Sequence, residues 1–284
     1  MPIDPSKALG HEFAPSQGAY SKDDVILYHL GVGAGNPATD PNELEYTYEK
    51  NLKVLPSFGV IPVFGAIANI GATPGLQFNL AMLLHGEQDI QIHRTIPPEA
   101  EIESRGRVAE LWDKGKACLA VIEMNTKEKG GDELFTNRFS LFLRGEGGFG
   151  GEPGPKVGNE APGRAPDGTC ERTLLPQQAL LYRLSGDKNP LHADPDFAKM
   201  AGFDRPIIHG LCSYGITLKA VVDEALGGDT TKVGRWQARF AGVGFPGETY
   251  TISWWNEGDK VLVQTNSKSR DGAPVITNAA VTLR

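Results

Sequence analysis

Residues 145–168 read GEGGFGGEPGPKVGNEAPGRAPDG, with nine glycines and four prolines in 24 positions, and no other stretch constrains the fold as much. Such a segment cannot bury enough apolar surface to offset its ordering entropy. It therefore reads as a linker between two halves, residues 1–144 and 169–284. The halves repeat one another. Residues 24–30 (DVILYHL) and 178–184 (QALLYRL) are short apolar stretches at helical spacing. Each leads into a glycine-bearing turn ending in Asn-Pro, Gly33-Ala-Gly-Asn-Pro37 in the first copy and Gly186-Asp-Lys-Asn-Pro190 in the second. A second, glycine-rich apolar helical region follows in both, and then a run of strands.

The spacing predicts strands at about 87–96, 101–112, 116–126 and 133–144 in the first half, and at about 232–241, 248–256, 260–269 and 274–283 in the second. Val261, Val263, Thr265 and Val275, Thr277, Ala279, Val281 alternate with the period of two of a half-buried strand. Asp113-Lys-Gly115, Glu257-Gly-Asp259 and Asp271-Gly-Ala273 suit short hairpins, so the strands should be antiparallel. Residues 210–226 carry apolar side chains around most of a helical circumference, which calls for burial on more than one side. An α+β architecture follows, with each repeat a curved antiparallel sheet wrapped around a central helix and two such repeats side by side.

Acids outnumber Lys and Arg by 35 to 28, a net charge of −7 that offers no general attraction to nucleic acid or to anionic membranes. The longest apolar run, residues 59–70, is broken by Pro62 and Gly65 and falls short of the ~20 residues a spanning helix needs. The N-terminal residues lack the basic-then-apolar pattern of a secretory signal, and the three cysteines, Cys118, Cys170 and Cys212, form no C-x-x-C pair. Reduced thiols in the cytoplasm are the expectation, and the closing Thr-Leu-Arg is not a Ser-Lys-Leu type address.

The most polar cluster in apolar surroundings is residues 185–194, SGDKNPLHAD. Its Ser, Gly, Asp, Asn and Pro are turn formers, so it reads at least as a loop. It also gathers Asp187, Asn189 and His192 within six residues. A carboxylate and an imidazole in a partly dry cleft can hold a water and move protons near neutral pH, with Asn189 orienting either partner. Aligning Asn36-Pro37 with Asn189-Pro190 sets Ala34 opposite Asp187 and Thr39 opposite His192. The first copy keeps the turn without the titratable pair, which assigns the pair to chemistry and predicts one active site per chain. The H-x-D pair His192/Asp194 offers a metal reading, opposed by the helix-start character of Asp194-Pro195. Gly210 opens the apolar helix, where free N–H groups can hold a developing oxyanion. His209 beside it reads as a packing residue or as a catalytic one.

The string YRLSGDKNPLHADPDFAKMAGFDRPIIHG (182–210) resembles the signature of the MaoC-like hydratases, in particular the (R)-specific enoyl-CoA hydratase 2 family. LYHLGVGAGNP, LPSFGVIPVFG, LLHGEQ, FSLFLRGEGGFGG and RFAGVGFPGE extend the likeness over nearly the whole chain. The resemblance implies a double hot-dog fold and reversible syn hydration of a trans-2-enoyl-CoA to a (3R)-3-hydroxyacyl-CoA, as in fatty-acid β-oxidation. It implies Asp187 and His192 as the catalytic pair, Asn189 placing the water and Gly210 donating to the thioester oxygen. It also implies substrate contacts at His85, Gly86, Lys114, Lys188, Pro190, Leu191 and Phe240. Without it, His85-Gly86 reads as a helix end, Lys114 as a solvated turn and Phe240 as a core strand residue. Lys114, Lys188 and Arg205 are the basic side chains expected to draw the CoA phosphates toward an acidic chain. Residues 58–84, with their glycines and Pro62 and Pro74, are the expected acyl tunnel. No cofactor or metal is expected, the partner is an acyl-CoA, and related proteins pair as homodimers. A non-catalytic acyl-CoA binding or scaffold protein and a hot-dog thioesterase are the rival readings. Loss of the enoyl thioester separates the first from a hydratase, and release of free thiol separates the second.

Overall fold

A computed structural model describes residues 3–284; the side chains of residues 66–69 and 81 lie outside that description. Ten strands form one antiparallel sheet in the order β1-β3-β4-β5-β2-β7-β10-β9-β8-β6. The first half supplies β1 (Ser16–Tyr20), β2 (Leu83–Ile92), β3 (Ala100–Asp113), β4 (Ala117–Glu128) and β5 (Glu133–Arg144). The second supplies β6 (Gly168–Thr173), β7 (Val233–Phe240), β8 (Thr249–Glu257), β9 (Lys260–Ser267) and β10 (Ala273–Leu283). Read outward from the β2–β7 seam, the order is β2-β5-β4-β3-β1 on one side and β7-β10-β9-β8-β6 on the other, the same topology twice. This is a double hot-dog. The outer strands β1 and β6 were not expected, since SQGAY and GTCERT are short and carry little apolar alternation.

Alternation fixes the faces. Strand β9 buries every second residue, with Val261, Val263 and Thr265 inward. In β10 the expected period of two fails, because register shifts flank Thr277 and Asn278, and Asn278 takes a φ of 50°. The bulge brings Ile276 into the core as well and leaves Ala280 buried. The β9–β10 reversal passes through Asp271 and Gly272, both at positive φ after a 3-10 turn (Lys268–Arg270).

The helical parts of the repeats differ more than the strands do. Helix α1 (Lys22–Gly31) is held at its start by a capping box between Ser21 and Asp24. It packs on its repeat mate α4 (Gln178–Tyr182), so closely that a Cβ on Gly31 would lie 3.1 Å from Tyr182 Cα. The side-chain amide of Gln178 donates to the Gly31 carbonyl at 2.6 Å. In the second half, α6 (Gly210–Ala225) is the central helix the sequence predicts, buried from Leu211 to Val222. Among the described residues, the first half has no matching helix. There the chain runs through a 3-10 turn (Pro56–Val60), the short α3 (Ile61–Ile67) and another 3-10 turn (Ala68–Ala72). Pro62 brings no backbone donor and Gly65 and Gly71 favour irregular backbone, so a full-length helix is not sustained.

The linker forms no helix or strand before β6 begins at Gly168, yet it is fastened to the sheet. The Asp113 carboxylate accepts the N–H groups of Gly115, Gly148 and Gly150, and these bonds hold its pKa down. Asn278 donates to the Gly158 carbonyl, and Trp255 to that of Arg164. Side chains of the sheet thus offset the ordering cost that the segment's own composition cannot.

Between the halves, the Lys219 ammonium on α6 sits between Glu43 Oε1 (2.7 Å) on helix α2 (Pro41–Thr47) and Asp223 Oδ2 (2.8 Å), over the Tyr46 ring. The Lys219 side chain is 7% exposed. Removing one member of a buried ion cluster leaves charge without a partner, a loss of about 3–5 kcal/mol. Lys219→Ala should therefore destabilise by about 3 kcal/mol in denaturant unfolding, the low end because both acids keep some solvent. A loss within experimental error would show that the cluster does not hold the halves together.

Candidate active site

The turn that carries the titratable pair is built by its own side chains. Gly186 adopts a φ of 132° that other residues avoid. Asp187 Oδ1 accepts the N–H of Asn189 at 3.1 Å, and Asn189 Oδ1 accepts that of Leu191 at 3.0 Å. Pro190 then opens a 3-10 turn (Pro190–His192). Asn189 is exposed and its oxygen is occupied as a cap, so its main visible work is to shape the turn. The first-half turn keeps the sequence and not the shape: its Asn36-Pro37 peptide is cis, and Gly33 and Gly35 both take positive φ. It borders a cavity of about 230 Å³ shared with Glu43, Gln178 and Lys219.

His192 is buried while Asp187 keeps partial access to solvent. His192 Nδ1 lies 2.9 Å from the Ile207 carbonyl, which can only accept, so the proton is on Nδ1 and Nε2 presents a lone pair. Burial lowers the imidazole's pKa. The bond to the Ile207 carbonyl and the Asp187 charge oppose that effect, and the Arg183 charge adds to it.

His209, for which the sequence offered two readings, belongs to this site by position. Its ring stacks on His192 with centroids 3.7 Å apart at 27°, and its Nε2–H donates to the Asp187 carbonyl at 3.2 Å. Burial, then the neighbouring His192, push its pKa down to about 3. Ligand-capable atoms of Asp187, His192 and His209 lie within 4.8 Å of one another. Near-parallel stacked rings send their in-plane lone pairs side by side rather than toward one point, an arrangement better suited to handling protons than to sharing a metal. Asp194, the other half of the H-x-D pair, caps helix α5 (Pro195–Met200) by accepting the N–H groups of Asp196 and Phe197.

On the other side of His209, α6 begins at Gly210. The His209 carbonyl takes the N–H groups of Cys212 and Ser213. Among the described residues, no protein acceptor takes the Gly210 N–H. A Cβ on Gly210 would come within 3.3 Å of the Phe240 ring. Phe240 in turn meets the His85 ring edge-on, at 5.0 Å between centroids. His85 and Gly86 lie in β2 rather than at a helix end, at a bulge where the β2–β5 register slips between His85 and Glu87. The bulge turns His85 so that Nε2 reaches the Glu87 carbonyl at 3.1 Å, and burial holds the ring neutral with a pKa near 4. A run of neighbouring residues therefore leads from Asp187 through His192, His209 and the backbone of Gly210 to the rings of Phe240 and His85.

Other expected contacts are placed differently. The Lys114 ammonium is bonded to the Pro153 carbonyl of the linker, although its charge still acts on Glu87 beside Gly86. Lys188 and Pro190 are exposed and Leu191 is half-buried. Arg205 stacks on Phe245 and lines a cavity of about 580 Å³ with Glu248 and Arg270, one that Asp187 and His192 do not line. Sequence reasoning also passed over Tyr182, Arg183 and Ser185. Each has a buried polar atom (Oη, Nε and Oγ) with no hydrogen-bond partner, and so does His209 at Nδ1. Their closeness to the Asp-His turn was the available signal.

Residues 19–145 match the MFE-2 hydratase 2 N-terminal domain and residues 157–278 the MaoC like domain. Enoyl-CoA hydratase ChsH3 of Mycobacterium tuberculosis is 43% identical over 98% of either chain. Peroxisomal enoyl-CoA hydratase 2 of Arabidopsis thaliana is 40% identical over 93% of this chain and 90% of its own. The crystal structure of a MaoC-like dehydratase from Phytophthora capsici superposes with a TM-score of 0.89 at 32% identity, covering 99% of this chain and 98% of that one. The fold and the Asp-His turn define a MaoC-like protein. Within that class, the chain belongs to the hydratase 2 family. No helix among the described residues is long and apolar enough to cross a membrane.

At about pH 5.5, a full unit below the ordinary imidazole value, nitrogen NMR should find His85 and His209 neutral and His192, where neutral, as the Nδ1–H tautomer. Protonated His85 and His209, or an Nε2–H tautomer at His192, would contradict the hydrogen-bond assignment.

Proposed function

We propose that this protein hydrates trans-2-enoyl-CoA thioesters reversibly to (3R)-3-hydroxyacyl-CoA, as part of β-oxidation of an acyl chain, with one active site per chain at Asp187 and His192. The observation that carries this reading is the pairing itself. A partly exposed carboxylate stands beside a buried imidazole whose Nδ1–H is tied to the Ile207 carbonyl, three residues before the helix N–H of Gly210 that no described residue accepts.

A water that donates one hydrogen to His192 Nε2 and the other to the free Asp187 oxygen presents a lone pair toward C3 of the enoyl group. As oxygen bonds to C3, the π electrons move through C2 to the thioester oxygen, which the Gly210 N–H stabilises. The proton taken by His192 is returned to C2 on the same face, closing a syn addition with atoms balanced and no cofactor. Asp187 holds the water and offsets the charge of the imidazolium. His85, Gly86 and Phe240 form the wall on the far side of Gly210 that faces the acyl thioester. The broken helix of residues 58–84 borders the acyl chain, and the exposed Lys188 and Arg205 draw the CoA phosphates. The names of the most similar relatives support the reaction.

The free thiols of Cys118, Cys170 and Cys212 fit a reducing compartment such as the cytoplasm. Exposed Leu180, Leu184 and Met200, on elements flanking the turn, support a homodimer.

Asp187→Ala and His192→Ala should each lower kcat by at least ~10²-fold with little change in thermal unfolding, tested on trans-2-enoyl-CoAs of differing length and bulk. Turnover like the parent's in either purified variant would remove the assignment. Release of free thiol would point to a thioesterase instead. Falling pH protonates His192 Nε2 and removes the base. Because burial lowers that pKa, the acid limb of kcat/KM should lie below the ordinary imidazole value of ~6.5. A limb above it would contradict the role given to His192.

A further inference from the structure

We propose that Arg183 is a positioning residue for this site: its guanidinium staples the Asp187 turn in place and sets a positive charge without an ion-pair partner among the described residues beside the Asp187–His192 pair. The inference rests on the hydratase reading above. Arg183 lies in a 3-10 turn (Arg183–Ser185), immediately before the Gly186 reversal. One of its terminal nitrogens donates to the Lys188 carbonyl at 3.1 Å, bridging the turn from the residue before Asp187's loop to the residue after Asp187. Gly186 gives the backbone unusual freedom, and the Asx bonds of Asp187 and Asn189 are themselves largely solvent-exposed. The Arg183 cross-link therefore acts together with the bond from His209 to the Asp187 carbonyl in limiting the excursions of Asp187 relative to His192.

The charge is the second half of the device. Arg172, Arg235 and Arg270 are each paired with a carboxylate, whereas Arg183 has no ion-pair partner among the described residues, and its Nε is buried without an acceptor. An unneutralised cation in partly dry surroundings acts over several ångströms. The groups facing His192 are Asp187 from the turn, His209 from the start of α6 and Arg183 from the 3-10 turn, with Tyr182 packed behind His209. Of these, Asp187 favours the imidazolium and Arg183 opposes it. The same charge disfavours a proton on His209. Arg183 thus offsets part of the pull of Asp187, so that the imidazole can sit beside a carboxylate and still accept a proton from water.

The two functions separate by substitution. Arg183→Lys keeps the charge and loses the planar fork that reaches the Lys188 carbonyl. Arg183→Gln loses the charge. Both should lower kcat by about 10- to 100-fold, the cost of a misplaced catalytic group, with KM for a trans-2-enoyl-CoA within twofold of the parent. Only Arg183→Gln should move the acid limb of kcat/KM to higher pH. Parental kcat in both variants would overturn the staple, and an unmoved limb in Arg183→Gln would overturn the charge. A large rise in KM at unchanged kcat would overturn both and give Arg183 to CoA binding. Should Arg183→Gln fail to fold, Arg183→Lys still decides the staple. The charge is then read from Arg183→Met, which removes it while keeping an unbranched stem: an acid limb moved to higher pH supports it and an unmoved limb overturns it. An inactive parent enzyme would instead remove the hydratase reading on which the proposal stands.

Discussion

The structure depends on one strand pairing. Glu87 through Gln91 of β2 lie antiparallel to Arg239 through Arg235 of β7, and the Asp89 carboxylate grips the Arg235 guanidinium across the joint. This seam turns two five-stranded sheets into one and fixes the register between them. It sets the His85–Gly86 bulge of the first half against Phe240 of the second, and Phe240 lies under the first residue of the central helix. A slip of one residue would send every side chain of β7 to the opposite face and remove Phe240 from Gly210. The candidate site therefore relies on both halves although Asp187, His192 and His209 come from one.

The two copies have divided the work along physical lines. The second half keeps an unbroken helix with a free N-terminal donor and a turn that places acid beside imidazole. The first half gives up its long helix for a chain of short turns, and its own turn carries Ala34 and Thr39 where the other has Asp187 and His192. Burial does most of the electrostatic tuning. His85 and His209 are held neutral mainly by desolvation, and His192 is shifted the same way while Asp187 pulls against it. The base proposed here must be uncharged near neutral pH, and such surroundings favour that state.

Much of this was legible in the sequence because it rests on local rules. The linker composition, the alternating strands and the all-round apolar helix at residues 210–226 each report a local preference, and each has its counterpart in the structure, whereas the repeated Asn-Pro turn repeats in sequence and not in shape. What could not be read depends on tertiary placement. The outer strands β1 and β6 gain their regularity from their neighbours, not from their own pattern. The bulge at Asn278 breaks a period that looked continuous, and the linker is ordered by Asp113, a residue from the hairpin before it. In the site, the Asp187–His192 pair was visible from spacing, whereas the stacking of His209 and the bond from Arg183 to Lys188 follow from how the 3-10 turns fold back. Likeness to a family raised His85 and Phe240 to attention, and their mutual contact has no local signal at all.

In the proposed reaction one water, held by Asp187 and His192, adds across a single face of an enoyl thioester. Hydration of a trans-2-enoyl-CoA in heavy water, with the product's configuration resolved at both carbons, tests it directly. A (3R)-hydroxyl with one deuterium at C2, delivered on the same face, is the predicted product. A 3S alcohol, or deuterium on the opposite face, would contradict it.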